Sequence, residues 1–237
     1  MTESKGTIEA SGLPDFFLRH CEWLTLLLYK EEANRRFFKG GDVVSLTYSA
    51  FVIAMEEGWV LVTAGHILKD IETALAEGLA VQSYWLCDHG PHHDIPICVD
   101  YARATKVHIY QEGADYGLIA LDYMYVENLL KNDVIPLPRA CWGDSGEYEA
   151  FGIVGSPPQW NQATELQDSV RLDTAPVFLR CDRGEMPQDL EKPFPRIALK
   201  LVSGAMNENG DILSDMDGLS GGPVFGFRRN QEGRLKY

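Results

Sequence analysis

Short apolar runs dominate the chain, and most carry the β-branched and aromatic residues that suit a pleated strand. Val43 to Ala54 and Trp59 to Thr63 are the clearest, parted by the turn-like Glu56-Glu57-Gly58. Runs of the same kind at Val81 to Leu86, Ile95 to Tyr101, Thr105 to Tyr110 and Tyr116 to Leu121 predict further strands. A second group follows at Tyr148 to Val154, Val170 to Leu179, Ile197 to Val202 and Val224 to Arg228. Between the groups, Met124 to Ala140 holds Pro136 and Pro138 and reads as a connector. Two segments break the strand texture. Residues 14–38 predict a helix: Pro14 suits a first turn, Asp15 suits its positive end, and Gly40-Gly41 closes the segment. Phe17, Cys21, Leu24 and Leu28 would form its apolar stripe. Residues 67–78 predict a brief second helix. The pattern as a whole describes an all-β protein of two barrels or sandwiches, with the N-terminal helix packed outside. Its expected divisions are a helical extension over 1–41, a first β unit over 42–125, a connector over 126–145 and a second β unit over 146–237.

Composition narrows the function classes. Hydrophobic residues make up 45% of the 237 and charged residues 24%, which is ordinary globular usage. Lys plus Arg number 21 against 35 Asp plus Glu, a net charge of −14. So acidic a chain, with no basic cluster, repels phosphate backbones and anionic lipid, which argues against nucleic-acid and membrane partners. Met1 to Ala10 shows no cationic stretch leading into an apolar core, so no signal peptide is visible. The longest apolar run, Trp23 to Tyr29, falls well short of the ~20 residues a membrane helix needs. Cys21, Cys87, Cys98, Cys141 and Cys181 are odd in number and include no C-x-x-C pair. That usage fits reduced thiols in a cytoplasmic protein better than a disulfide framework.

Three segments carry chemistry. Gly218-Leu219-Ser220-Gly221-Gly222-Pro223 sets a serine among glycines, which allow consecutive amide N–H groups to converge on one spot. Such a spot can hold an oxyanion while the serine hydroxyl attacks; a phosphate loop or a plain structural turn would read alike. Val62-Thr63-Ala64-Gly65-His66 ends an apolar strand on a histidine with small neighbours. Ala114-Asp115-Tyr116-Gly117-Leu118-Ile119 opens a strand on an aspartate, where a buried carboxylate could orient an imidazole or simply end a turn.

Taken together, Thr-Ala-Gly-His, Asp-Tyr-Gly-Leu-Ile and Gly-Leu-Ser-Gly-Gly-Pro, in the order His, Asp, Ser, resemble the three signatures of trypsin-like (chymotrypsin-fold) serine peptidases. The resemblance spans residues 42–237. It implies two six-stranded antiparallel β-barrels with a cleft between them, no metal or organic cofactor, and a protein or peptide substrate. Ser220 would be the nucleophile and His66 the general base and then acid. Asp115 would hold the histidine tautomer, and the N–H groups of Gly218 and Ser220 would form the oxyanion hole. Ser214, Asp215 and Asp217 fall in the segment that lines the specificity pocket of relatives; their charge would favour Lys or Arg in the substrate.

The match departs from the family at several points. Ile67 follows His66 where secreted members carry a cysteine, which agrees with a bacterial or intracellular type. Leu219 stands where secreted zymogens have an aspartate, so activation by a new N-terminus is not implied. Relatives have two further strands beyond the nucleophile, whereas Val224 to Phe227 and Arg234 to Tyr237 supply one strand and a fragment. The expectation is a C-terminally truncated second barrel, prone to association through its open edge or with the missing segment. The alternative is a catalytically impaired domain of the same fold that binds a peptide or partner. Separately, Cys87, His89, His92 and His93 lie in a stretch that predicts a hairpin loop between two strands. Their composition can bind Zn²⁺, but they lack helical H-x-x-x-H spacing and read first as a polar surface loop.

Overall fold

The computed structural model describes residues 17–29, 43–76, 81–87, 97–111, 113–143, 146, 148–166, 169–173, 176–186, 196–202, 213, 216–229 and 235–236. The first half is built on β1 (Cys21–Tyr29), β2 (Val43–Met55), β3 (Gly58–Thr63), β4 (Val81–Cys87), β5 (Ile97–Cys98), β6 (Lys106–Gln111) and β7 (Ala114–Leu121). These order as β5-β4-β1-β2-β3-β7-β6, antiparallel throughout, and β8 (Leu137–Pro138) adds a short parallel pairing to β2. Two helices belong to this half, α1 (Gly65–Ala76) and α2 (Tyr123–Lys131). The second half holds β9 (Ala150–Gly155), β12 (Val177–Arg183), β13 (Leu199–Leu201), β14 (Val224–Arg229) and β15 (Leu235–Lys236) in the order β13-β12-β9-β14-β15. A separate hairpin pairs β10 (Gln162–Leu166) with β11 (Ser169–Asp173).

Alternation along β2 explains the layering. Ala50 and Val52 point to one face and meet Leu61 of β3 and Ile119 of β7. Ile67, Leu68 and Ile71 of α1 and Tyr125 and Leu129 of α2 cover that face as a single buried cluster. The neighbouring positions Thr47, Ser49, Phe51 and Ile53 point the other way, towards the second sheet. There Phe17, Leu18 and Cys21 pack with Ala150, Val154 and Phe227. Phe17 is the hub, its ring 4.4 Å from that of Phe225 and 5.4 Å, edge-on, from that of Phe227.

The structure departs from the sequence pattern in three places. The helix expected over 14–38 is, where described, a single helical turn at Phe17–His20 followed by β1 (His20 N–H to Phe17 O, 3.1 Å). β1 lies centrally between β2 and β4, and a strand with neighbours on both sides reads as a near-continuous apolar run that helical spacing also fits. It belongs to the first sheet, not to an outer extension. The connector begins with a helix, α2, and the run Val170 to Leu179 is divided between β11 and β12. The chain is mostly β as expected, but among the described residues its two larger sheets do not close into the two expected barrels. Among the described residues the edge strand β5 of the first sheet pairs over two residues and the edge strand β13 of the second over three, which leaves no long ladder there to close either sheet.

Candidate active site

Thr63 ends β3, and Ala64-Gly65 turn the chain at once into α1, so His66 stands in the first helical turn. The turn presses against β6: a Cβ on Gly65 would lie 2.1 Å from the Ile109 carbonyl oxygen and 2.9 Å from that of Tyr116. Only glycine fits there without displacing backbone. The first N–H groups of a helix have no partner inside it. That of His66 donates to Asp115 Oδ1 at 2.8 Å. The other oxygen of the same carboxylate, Oδ2, lies 2.6 Å from His66 Nδ1. A carboxylate only accepts, so Nδ1 carries the proton and Nε2 keeps its lone pair. Asp115 thus caps α1 and fixes the orientation and tautomer of the ring through one side chain. His66 and Asp115 are 31% and 39% exposed, so water screens their attraction and the orienting role outweighs the Coulombic one.

Asp115 reaches this position from the start of β7, directly across the ladder from Tyr110 of β6. The Tyr110 ring in turn flanks the imidazole, with centroids 5.9 Å apart and planes tilted by 60°.

The serine arrives from the second half. Leu219 is buried with Val177 and Leu179 and anchors the 216–223 turn to the second sheet. Within the turn, Leu219 N–H donates to Met216 O and Gly222 N–H to Leu219 O. Gly221 has φ +86°, and a Cβ there would stand 2.5 Å from Ser49 O, 2.6 Å from Thr63 Oγ1 and 2.7 Å from Ala64 N. The turn therefore lies on the end of β3 that leads into His66, with Ser220 exposed beside it. Ser49 clamps the junction. Fully buried on β2, it donates Oγ–H to Gly218 O and accepts from Ser156 N–H at 2.8 Å, while its carbonyl accepts from Thr63 Oγ1 at 2.8 Å. The N–H groups of Gly218 and Ser220 have no acceptor among the described residues, whereas the intervening Leu219 N–H is used. Among the same residues no hydrogen bond joins Ser220 to His66.

Of the residues singled out in the sequence, His66 and Asp115 are in direct contact, and Ser220 is carried to the same corner. Asp217 is exposed next to Gly218; Ser214 and Asp215 lie outside the described residues. So do His89, His92 and His93, leaving only half-buried Cys87 of that cluster, on β4. Among the described residues no group of three metal-ligating side chains gathers. All five cysteines are free thiols. No helix among the described residues is long and apolar enough to cross a membrane. Ser49, Thr63 and Tyr110 were not legible as site residues; the faint signal for Ser49 is a hydroxyl inside an apolar strand run.

A cavity of about 600 Å³ opens between the sheets, walled by Phe51, Ile53, Leu118, Phe151 and Phe225, with Trp142 at its side. Neither His66, Asp115 nor Ser220 lines it, although their neighbours Tyr116 and Pro223 do. His20 also faces this cavity, its Nδ1 2.6 Å from Ile135 O. Burial holds the His20 imidazole below its usual pKa, and the charge of Arg19 adds to the effect; the bond to Ile135 opposes both.

No family model matches the chain, and no curated protein matches it. Among solved structures it is similar to a thermostable serine protease from an extremophilic microorganism, at 13% sequence identity, over 88% of this chain and 79% of that one, with a TM-score of 0.44.

Proposed function

We propose that the chain is a serine endopeptidase of the trypsin-like type, its two sheets standing for the two barrels of that architecture. The observation that carries this reading is the double bond from Asp115 to His66, one oxygen on the backbone N–H and the other on Nδ1. It leaves Nε2 as a base aimed away from the carboxylate, the state in which an imidazole accepts a proton from an attacking hydroxyl. Ser220 is the nucleophile: its Oγ attacks the substrate carbonyl carbon, its proton passes to Nε2, and the tetrahedral oxyanion forms. The unbonded N–H groups of Gly218 and Ser220 are the donors for that oxyanion, each worth about 3 kcal/mol in such sites. Imidazolium, stabilised by Asp115, then gives its proton to the leaving amine, and water repeats the sequence on the acyl-enzyme. The chemistry requires no cofactor. Asp217 supports a preference for a basic residue before the scissile bond, and the free thiols support a cytoplasmic location.

A p-nitrophenyl ester assay in the stopped-flow instrument tests this reading. A burst of one equivalent followed by slower turnover, lost in Ser220→Ala, is expected; turnover that survives this substitution would refute the assignment. The absence of a Ser220–His66 hydrogen bond among the described residues favours one second reading, an inactive peptide-binding module of the same fold. Peptide binding with no burst would select it, although catalytic hydrogen bonds in the free enzyme often tighten only on substrate binding.

A further inference from the structure

The face of α1 that carries His66 continues through Lys69 and Glu72, which stand at one-turn spacing. It lies along β6, and the contacts between them run in order. His66 meets Tyr110; Lys69 Nζ sits 4.9 Å above the centre of the same ring; Glu72 Oε2 lies 3.8 Å from His108 Nδ1, two residues back along the strand. Tyr110 is 55% exposed, so the ring flanked by His66 and Lys69 still offers surface to anything bound beside the histidine.

The charges around this shelf are divided unevenly. Asp115 is engaged twice by His66. Glu72 turns to His108 and is close enough to Tyr101 to help burial hold that hydroxyl above its ordinary pKa. Asp70 acts in the same way on half-buried Tyr48. Lys69 alone on this helix face presents an ammonium, and among the described residues no carboxylate lies within ion-pair distance of it. In a chain of net charge −14, a cation that rests on a ring and has no described carboxylate partner, beside the candidate base, is a local feature with a direction.

We infer that Lys69 and Tyr110 form a substrate subsite that selects an acidic side chain close to the scissile bond. The Tyr110 ring receives the methylene stem, and the Lys69 ammonium pairs with the carboxylate. This rests on the peptidase reading and gives it a substrate class: peptides carrying Asp or Glu flanking the cleavage point, separate from any residue preference set by Asp217.

The test uses quenched peptides of one core sequence, with Asp, Ala or Lys placed in turn at each of the two positions on either side of the cleaved bond. Fluorophosphonate labelling of the wild-type chain is measured in parallel. At one position the wild-type chain should prefer Asp over Lys by about tenfold in kcat/KM, with the ratio shrinking as salt is raised. Lys69→Glu should invert that preference and Lys69→Met should level it, while Tyr110→Ala should raise KM for the Asp peptide more than it lowers kcat. A wild-type chain that labels and cleaves, with an Asp-to-Lys ratio unmoved by either Lys69 substitution at every position, overturns the subsite and leaves the peptidase reading standing. A folded wild-type chain that neither labels nor cleaves overturns both.

Discussion

His66 and Ser220 reach the same corner by different routes. His66 and Asp115 belong to one sheet, and everything that positions them lies in β3, α1 and the β6–β7 hairpin. Their bond is local in space and supported by the largest buried cluster among the described residues. The Ser220 turn is anchored in the other sheet through Leu219, which packs in a smaller cluster. It meets the first sheet across the contact of Gly221 with Ser49, Thr63 and Ala64 and through the Ser49 clamp. The imidazole is therefore pre-oriented by one half alone, whereas the position of Ser220, the proposed nucleophile, depends on how the halves dock. On the proposed mechanism, damage to the first region should destroy the His66–Asp115 pair; damage to the second should leave that pair intact and misplace Ser220.

The largest effect belongs to Asp115→Asn. The amide would offer an N–H₂ group where Nδ1–H needs an acceptor, reversing the tautomer. An activity loss of about ten-thousand-fold is expected in kcat, with a melting temperature little changed. Next comes Gly221→Val. A branched side chain at φ +86°, against backbone atoms of both Ser49 and Ala64, must push the turn off the first sheet. About a thousandfold loss of burst amplitude or rate and roughly 3 kcal/mol of stability should follow. The His66 Nδ1–H proton resonance, read by NMR, should persist in this variant and vanish in Asp115→Asn.

Ser49→Ala sharpens the comparison, because it removes one hydroxyl and strands two groups, Ser156 N–H and Gly218 O. A cost of about 1–3 kcal/mol in urea unfolding is expected, with activity reduced more than the first sheet is destabilised. The next lever is pH. His20 sits at the seam between the halves with its pKa lowered from 6.5, so the unfolded chain binds the proton more readily than the folded one. Stability is then complete above pH 6.5 and falls as pH drops through that value towards the lower folded one. His20→Gln should flatten this part of the unfolding profile. The smallest effect belongs inside the first half: the Tyr101 hydroxyl is buried without a hydrogen-bond partner among the described residues, so Tyr101→Phe should stabilise by up to about 1 kcal/mol and leave activity unchanged.

What the sequence disclosed follows the same division. His66, Asp115 and the glycine-rich turn stood out because the chemistry proposed for them needs particular residues in particular company, and the structure brings them to one corner. The strands β2, β3, β6 and β7 were legible because their apolar runs are bounded by turn residues. β1 was not, since the spacing of Phe17, Cys21, Leu24 and Leu28 satisfies a helix while its partners β2 and β4 are distant in sequence. α2 was masked by Pro136 and Pro138, which follow it and drew the whole stretch into a connector. Ser49 was invisible for a deeper reason: a serine in a strand has no local mark of the turn it will hold, and its partner Gly218 lies 169 residues away. Contacts within one hairpin leave traces in a short window of sequence, whereas contacts between the halves do not.

The most direct test of the central claim is intact-mass analysis after exposure to a fluorophosphonate, run on the wild-type chain, Ser220→Ala, His66→Ala and Ser49→Ala. One adduct per chain is predicted for the wild type, none for the first two variants, and a slowed single adduct for Ser49→Ala. A folded wild-type chain that gains no mass, or an adduct that persists in Ser220→Ala, would contradict a site assembled from the two halves around that serine.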